Sequence, residues 1–356
     1  MPSGMEALDQ LGVLPLNAGV PRRKLNSWCM VLDREVLFDA PEPMGSRQPC
    51  TLVSQDALVA TLRQSAPHHW HGSQSVVRLL QEGGRICGVE LTGGTRIQAD
   101  LVIGCDGRDS RLRRWAELPL IDEPSPLHLL WFDLDPAASE PLRAWLAGRF
   151  VTVLADTGSF ALFGSANDRL QLGWLRQPGE PLSPPPGGWP RLWAEGLPET
   201  AAAALRSVEP SAIPNPVPLG VRVGLARRWH RPGLLLGDAV HPMSPLRAQG
   251  ISMALRDAVV AAARLSAALR CGSASAIDAA LPTVAATRLE EIHTIQRLQR
   301  QEAGRGELLR HRALLRRWLG LNRHWAGRLV QRYWSHQQRR LRDGVMPLPP
   351  RPASPP

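Results

Sequence analysis

Gly237-Asp238-Ala239-Val240-His241-Pro242-Met243-Ser244-Pro245, with Gln249-Gly250 and Asp257-Ala258 after it, is the most informative stretch of the chain. It follows the apolar run Leu234-Leu235-Leu236 and leads into an alanine-rich segment from Gly250 to about Leu269, which reads as a helix. The order is buried strand, turn, helix. A carboxylate leaving the carboxyl end of a parallel strand can accept hydrogen bonds from sugar hydroxyls, because open α/β sheets bind ligands along that edge. Glycine at 250 lets the backbone approach a flat ligand closely. The helix that starts there offers free amides and a positive dipole to negative charge. Any strand–turn–helix can end in Gly-Asp, so it is the whole string that points to binding.

Asp100-Leu101-Val102-Ile103-Gly104-Cys105-Asp106-Gly107-Arg108-Asp109-Ser110, with Arg111 and Arg113 following, repeats the logic. An apolar strand again delivers an acid and a glycine to its carboxyl end. An isolated Asp-Gly usually marks only a turn. The preceding strand, with Ser110 and Arg113 at these offsets, favours a binding role.

Together the two strings resemble the second and third FAD signatures of the flavin-dependent aromatic hydroxylase family, the group of p-hydroxybenzoate hydroxylase and the ubiquinone-pathway hydroxylases. The resemblance covers about residues 1–300. It implies an α/β fold: a Rossmann-like FAD-binding domain of the p-hydroxybenzoate hydroxylase type, an antiparallel-sheet substrate domain and a helical C-terminus. By resemblance, Gly237 and Asp238 hold the ribityl chain, and Pro245 and His241 lie near the isoalloxazine ring. The amides after Gln249, those of Gly250 and Ile251, face the N1–C2 carbonyl edge. Asp106 and Gly107 match the motif near the pyrophosphate, also implicated in NAD(P)H binding. Gln55 matches the residue that opens a flavin-contacting helix, and Arg288, Glu291 and Gln296 resemble the helix packed behind the ring. The implied activity is NAD(P)H- and O₂-dependent hydroxylation of a small aromatic or isoprenoid-type substrate, with FAD as cofactor. An FAD-dependent reductase of the same fold, or a flavin-free binding scaffold, are the alternatives. The family's halogenases use a dedicated lysine, and Lys24 is the sole lysine here.

The chain departs from the family at three places. No Gly-x-Gly-x-x-Gly phosphate turn is present, and residues 1–8 resemble a segment that normally follows it, so the fold is expected to lack its first strand–helix–strand. Arg247-Ala248 stands where small residues are usual, and the arginine either narrows the flavin pocket or pairs with an anionic substrate. Ser252 stands where asparagine is common.

The expected organisation is a discontinuous FAD-binding domain (1–118 and 226–285), a substrate-binding sheet domain (119–225), C-terminal helices (286–343) and a disordered Pro-rich tail (344–356). Helices are expected over residues 1–11 and 55–65. Strands are expected within 25–53, over 75–80 and 84–91 around a Gly83-Gly84 turn, and over 95–104 as one element.

Composition narrows the function classes. The 356 residues carry 44% hydrophobic and 21% charged residues, as soluble globular proteins do. The formal charge of +10 is almost wholly arginine beside abundant proline and alanine, a coding bias more than a nucleic-acid surface. Five cysteines without a CxxC pair exclude the usual zinc frameworks, and no metal is expected; Cys105 reads as a small buried hydrophobe. No apolar run spans a bilayer and residues 1–4 have no signal character, so a cytoplasmic location is expected. Arg305–Arg342 mixes arginines with Trp318, Trp325, Tyr333 and Trp334. That pattern fits either a helix packing an aromatic stripe on the core or a peripheral membrane contact. Among titratable groups, His241 is read as hydrogen-bonded within its turn, orienting the loop or relaying protons.

Overall fold

The computed structural model describes residues 1–65, 69–123, 128–176, 182–231 and 233–350. Its helices in chain order are α1 (Pro2–Gln10), α2 (Gln55–Gln64), α3 (Arg111–Trp115), α4 (Pro136–Leu146), α5 (Gly188–Ala194), α6 (Glu199–Arg206), α7 (Gly250–Cys271), α8 (Ala274–Arg310), α9 (Ala313–Leu321) and α10 (Arg323–Asp343). Residues 351–356, the end of the expected tail, lie outside the described residues.

The two acidic turns leave one parallel pair. Leu234–Leu235 pairs in parallel with Ile103–Gly104, in the register Leu234↔Ile103 and Leu235↔Gly104. The Leu236 amide extends the ladder to Gly104 O at 3.0 Å. Beside this pair lies the antiparallel sheet Val76–Glu82, Arg85–Leu91, Arg96–Gln98. Gly83 and Gly84 form its hairpin turn, both at positive φ, as two-residue hairpin loops require. The single strand expected over 95–104 is in fact two, Arg96–Gln98 and Ile103–Gly104. The chain changes sheets between them.

The second unit is a seven-stranded sheet. Its order is Val217–Gly220, His128–Leu134, Leu170–Arg176, Gly158–Gly164, Arg149–Ala155, Ser27–Leu32, Glu35–Pro41. Neighbours are antiparallel except Ser27–Leu32 against Arg149–Ala155, which run parallel. The sequence placed residues 27–41 in the expected FAD-binding domain, whereas both strands extend the seven-stranded sheet. Alternation explains why. Cys29 and Val31 point into the core formed with Phe132 and Trp193, while Trp28 and Leu32 point into clusters on the other face. A strand buried on both faces cannot show a polar–apolar period. Leu120–Glu123 and Val223–Ala226, the two chain crossings at the edges of the sheet unit, pair antiparallel with each other.

α7 and α8 pack side by side behind the parallel pair, burying Met253, Val260, Leu281, Val284, Ile292 and Ile295 with Leu234–Leu236 in the largest core cluster. The start of the expected tail does not hang free. The Val345 and Met346 amides donate to Glu291 Oε1 at 2.7 and 3.2 Å, and Val345 and Leu348 pack on the same core. A carboxylate in α8 thus captures backbone that composition alone marks as loose.

Candidate cofactor site

Gly237 enters its turn at φ +59°, a left-handed conformation, and a Cβ there would lie 3.2 Å from Ala254 Cβ in α7. Glycine therefore serves both the turn and the close approach of the helix. Asp257, one turn further along α7, closes the loop from behind. Its Oδ2 accepts the Gly237 amide at 2.9 Å and His241 Nε2–H at 2.5 Å, and its Oδ1 accepts Arg288 Nε–H at 2.7 Å. Burial works to raise the Asp257 carboxyl, but His241 and Arg288 outweigh it and hold it below the ordinary carboxylate range.

His241 is fully buried, its ring 5.2 Å from that of Trp229. With no exposed surface and a short bond to Asp257, it orients the loop and faces no solvent-filled space. Its other ring nitrogen, Nδ1, has no hydrogen-bond partner among the described residues.

Asp238 points the other way. It is exposed, and its Oδ1 lies 3.8 Å from where a Cβ on Gly250 would stand. Desolvation by the surrounding protein still pushes its carboxyl upward, against the pull of His241 and Arg108. α7 begins at Gly250 without a side-chain cap, so its first-turn amides lack intrahelical partners. Gln249, the preceding residue, is fully buried; its side-chain nitrogen donates to Arg247 O at 3.1 Å while Oε1 has no partner among the described residues. Pro245 is exposed and Ile251 half-exposed on the same stretch. An acceptor carboxylate, an uncapped helix start and a floor without Cβ thus meet at one point. Such a cradle suits a flat, polyhydroxylated ligand.

The second turn reaches the same edge, with a difference from the sequence reading. The Asp106 carboxylate caps α3: Oδ2 accepts the amides of Arg111 (2.7 Å) and Leu112 (3.0 Å), and Oδ1 accepts Ser110 Oγ–H at 2.5 Å. Its carboxylate is committed to local structure, and Gly107, at φ +79°, supplies the left-handed turn. Arg113 ties the turns together, donating Nη1–H to Ala239 O at 2.5 Å and Nη2–H to Arg108 O at 3.0 Å. Gln55 is the exposed first residue of α2, which packs through Leu58 near Leu8 and Leu255. No hydrogen bond joins its side chain to either turn among the described residues.

α8 holds the loop along its length. Gln296 Nε2 donates to Gly224 O (2.8 Å) and Pro242 O (3.3 Å), and Gln299 Nε2 to Ser244 O (2.9 Å) and Leu246 O (2.8 Å). Glu302 accepts Arg247 Nε–H at 2.7 Å. Arg247, at φ +62°, also lies over the rings of Trp28 (5.1 Å) and Trp334 (4.9 Å). Its guanidinium is engaged within the protein: it pairs with Glu302 and packs on two indoles, pinning the loop to α8 and α10. Below it, Glu291 accepts Arg256 at 3.0 Å through two nitrogens, and Arg288 as well, while Arg256 Nη1 donates to Glu6 at 2.9 Å. Sequence reasoning found Arg288, Glu291 and Gln296 but missed Gln299, Glu302 and Arg256. For Gln299 and Glu302 the signal was present as polar residues recurring every three to five positions along α8; Arg256 lies on α7, outside that pattern.

The sequence profile described as FAD binding domain matches residues 2–288. The chain is 34% identical over 244 residues to the 6-methylpretetramide 4-monooxygenase of Streptomyces rimosus, covering 62% of this chain and 52% of that protein. It is 29% identical over 244 residues to the 6-hydroxynicotinate 3-monooxygenase of Pseudomonas fluorescens, covering 62% and 57%. It spans about half the length of the curated relatives it matches. Among solved structures, the probable FAD-dependent monooxygenase PqsL of Pseudomonas aeruginosa superposes with TM-score 0.67 at 19% identity, over 90% of this chain and 88% of that one. The 2-methyl-3-hydroxypyridine-5-carboxylic acid oxygenase does so with TM-score 0.69 at 19% identity, over 87% and 81%. These two show a shared fold.

Proposed function

The chain belongs to the FAD binding domain family, and from that premise we propose that it is the cofactor-gripping and substrate-facing part of an FAD-dependent monooxygenase. One observation carries the reading: the Asp238 carboxylate faces Gly250 at the uncapped start of α7, on an edge that the 106–113 turn shares through Arg113 and Ala239 O. These residues fit the flavin end of FAD. Asp238 would accept a ribityl hydroxyl, and the amides of Gly250 and Ile251 would meet the electron-rich edge of the ring. Gly107 would let backbone approach the phosphates, and Gln55 would contact the ring from α2. When bound, FAD would supply electron transfer from NAD(P)H and activation of O₂.

The protein's share is position and electrostatics. α8 holds the loop through Gln296 and Gln299, so Pro245 and Ile251 would present a fixed apolar wall. The helix dipole at Gly250 favours negative charge developing at that edge. The relatives' names point to hydroxylated or fused aromatic rings, and a small aromatic or isoprenoid-type substrate would lie between this loop and the seven-stranded sheet.

The test is oxygen consumption by the purified, FAD-supplemented chain with NADH or NADPH. Stimulation by hydroxylated aromatic compounds, with one oxygen atom recovered in product, supports the reading. A chain that binds FAD and oxidises NAD(P)H at the same rate with every ring compound, releasing only reduced oxygen, contradicts it and favours a reductase.

A further inference from the structure

α9 and α10 carry apolar side chains on two sides. Inward, Leu319 and Ala326 pack under the seven-stranded sheet, Trp334 lies 5.3 Å from Phe38 and 6.1 Å from Trp28, and buried Arg316 pairs with Asp33 at 2.8 Å. Only Trp334 of the aromatic residues therefore packs its ring on the core. Outward, a second row stands in solvent: Leu314 is 82% exposed, Leu321 81%, Leu329 57%, Trp325 51% and Trp318 47%. Trp318 and Trp325 meet edge to face at 5.5 Å, joining the rows of the two helices into one patch. Contiguous exposed apolar surface of this kind marks an interaction face.

Charge identifies the partner. From Leu308 to Arg342 there are ten arginines and no acidic residue; Arg316, Arg323 and Arg342 pair inward with Asp33, Glu35, Glu42 and Asp156, which leaves the segment strongly basic on its outer side. Arg312, Arg317, Arg328 and Arg332 are exposed around the apolar row. A symmetric contact between two copies would set that arginine ring against itself, with no carboxylate in the segment to answer it. A nucleic acid would answer the arginines and leave the leucines wet. An anionic bilayer answers both: leucines enter the acyl boundary, indoles sit at headgroup level, and long arginine side chains reach back to phosphates.

We propose that the outer face of α9 and α10 is a peripheral docking surface for anionic phospholipid membranes. Among the described residues no helix is long and apolar enough to cross a membrane, so the contact is interfacial.

The experiment is co-sedimentation of the full chain with vesicles of pure phosphatidylcholine, and with vesicles of two parts phosphatidylcholine to one part phosphatidylglycerol. The expected result is binding to the anionic vesicles, a blue shift of tryptophan emission, and weakening by added salt. Leu321→Ser with Trp325→Ser should abolish binding while the thermal melt stays in place, since neither side chain is in the core. Arg317→Ser with Arg328→Ser tests charge separately and should weaken binding about fivefold per arginine removed. Failure of the folded wild-type chain to bind anionic vesicles overturns the proposal, as does binding that the Leu321/Trp325 variant retains. A wild-type dimer in light scattering that this variant converts to a monomer, without vesicle binding, also overturns it and assigns the patch to self-association.

Discussion

A methyl group on Gly250 would stand 3.8 Å from Asp238 Oδ1, an ordinary contact, so the fold itself makes no demand for glycine there. Under the proposed reading, the demand would come from the flavin that occupies the space. Gly250→Ala should leave the melting temperature unchanged or slightly raised, because alanine is the better helix former by about 1 kcal/mol. Gly250→Leu should cost about tenfold or more in FAD affinity, by fluorescence titration, with no loss of thermal stability. Gly237 is the opposite case. Its positive φ and the 3.2 Å approach to Ala254 make Gly237→Ala destabilising by about 1–2 kcal/mol in denaturant titration, with or without cofactor. At this scale the sequence was legible where backbone rules apply, as at both Gly-Asp and Asp-Gly turns. It was silent on where each carboxylate points. An aspartate that caps α3 and one that stands exposed beside Gly250 read alike, and only the folded positions of the Arg111 and Leu112 amides separate Asp106 from Asp238.

α8 turns a flexible, proline-bearing loop into a fixed wall by placing one polar side chain per turn against its carbonyls. Gln299→Ala removes two hydrogen bonds, to Ser244 O and Leu246 O. It should lower stability by about 1–3 kcal/mol in chemical denaturation and speed FAD release measured by dilution. Asp257→Asn is the severer change. It removes one of the two carboxylates that face buried Arg288, leaving Glu291 alone, and disturbs the Gly237 amide and His241 together, at a cost of about 3 kcal/mol. That this part of the chain is helical was legible in the sequence, although α8 begins at Ala274, ahead of the expected 286. The pairing of Arg247 with Glu302 was not, because it spans two elements, and nothing local separates an arginine aimed at a ligand from one laid over Trp28 and Trp334.

The whole molecule is held by carboxylates that bridge elements distant in sequence. Glu291 joins α7, α8 and the backbone at Val345, Glu302 joins the loop to α10 through Arg247 and Gln338, and Asp257 joins α7 to α8. Burial opposes ionisation at all three, yet His241 and Arg288 at Asp257, and the facing arginines at Glu291 and Glu302, hold each below the ordinary carboxylate range. Depressed groups stabilise the fold above their unfolded pKa and lose that contribution as pH falls through the folded value. The melting temperature should therefore hold from neutral pH down to about pH 5 and drop steeply below about pH 4. Glu291→Gln should flatten that drop in a pH series of thermal melts. Long range also limited what the sequence could tell of architecture: the parallel pairing of Ser27–Leu32 with Arg149–Ala155 crosses the whole first unit, and no local pattern announces it.

Amide hydrogen exchange of the chain with and without FAD reads directly whether the turns at 106 and 238 grip one ligand. Slowed exchange should appear in both segments, 104–111 and 237–252, and to a lesser degree at the start of α2. Protection in only one of the two, or none in either while flavin is bound, would contradict a shared flavin-binding edge.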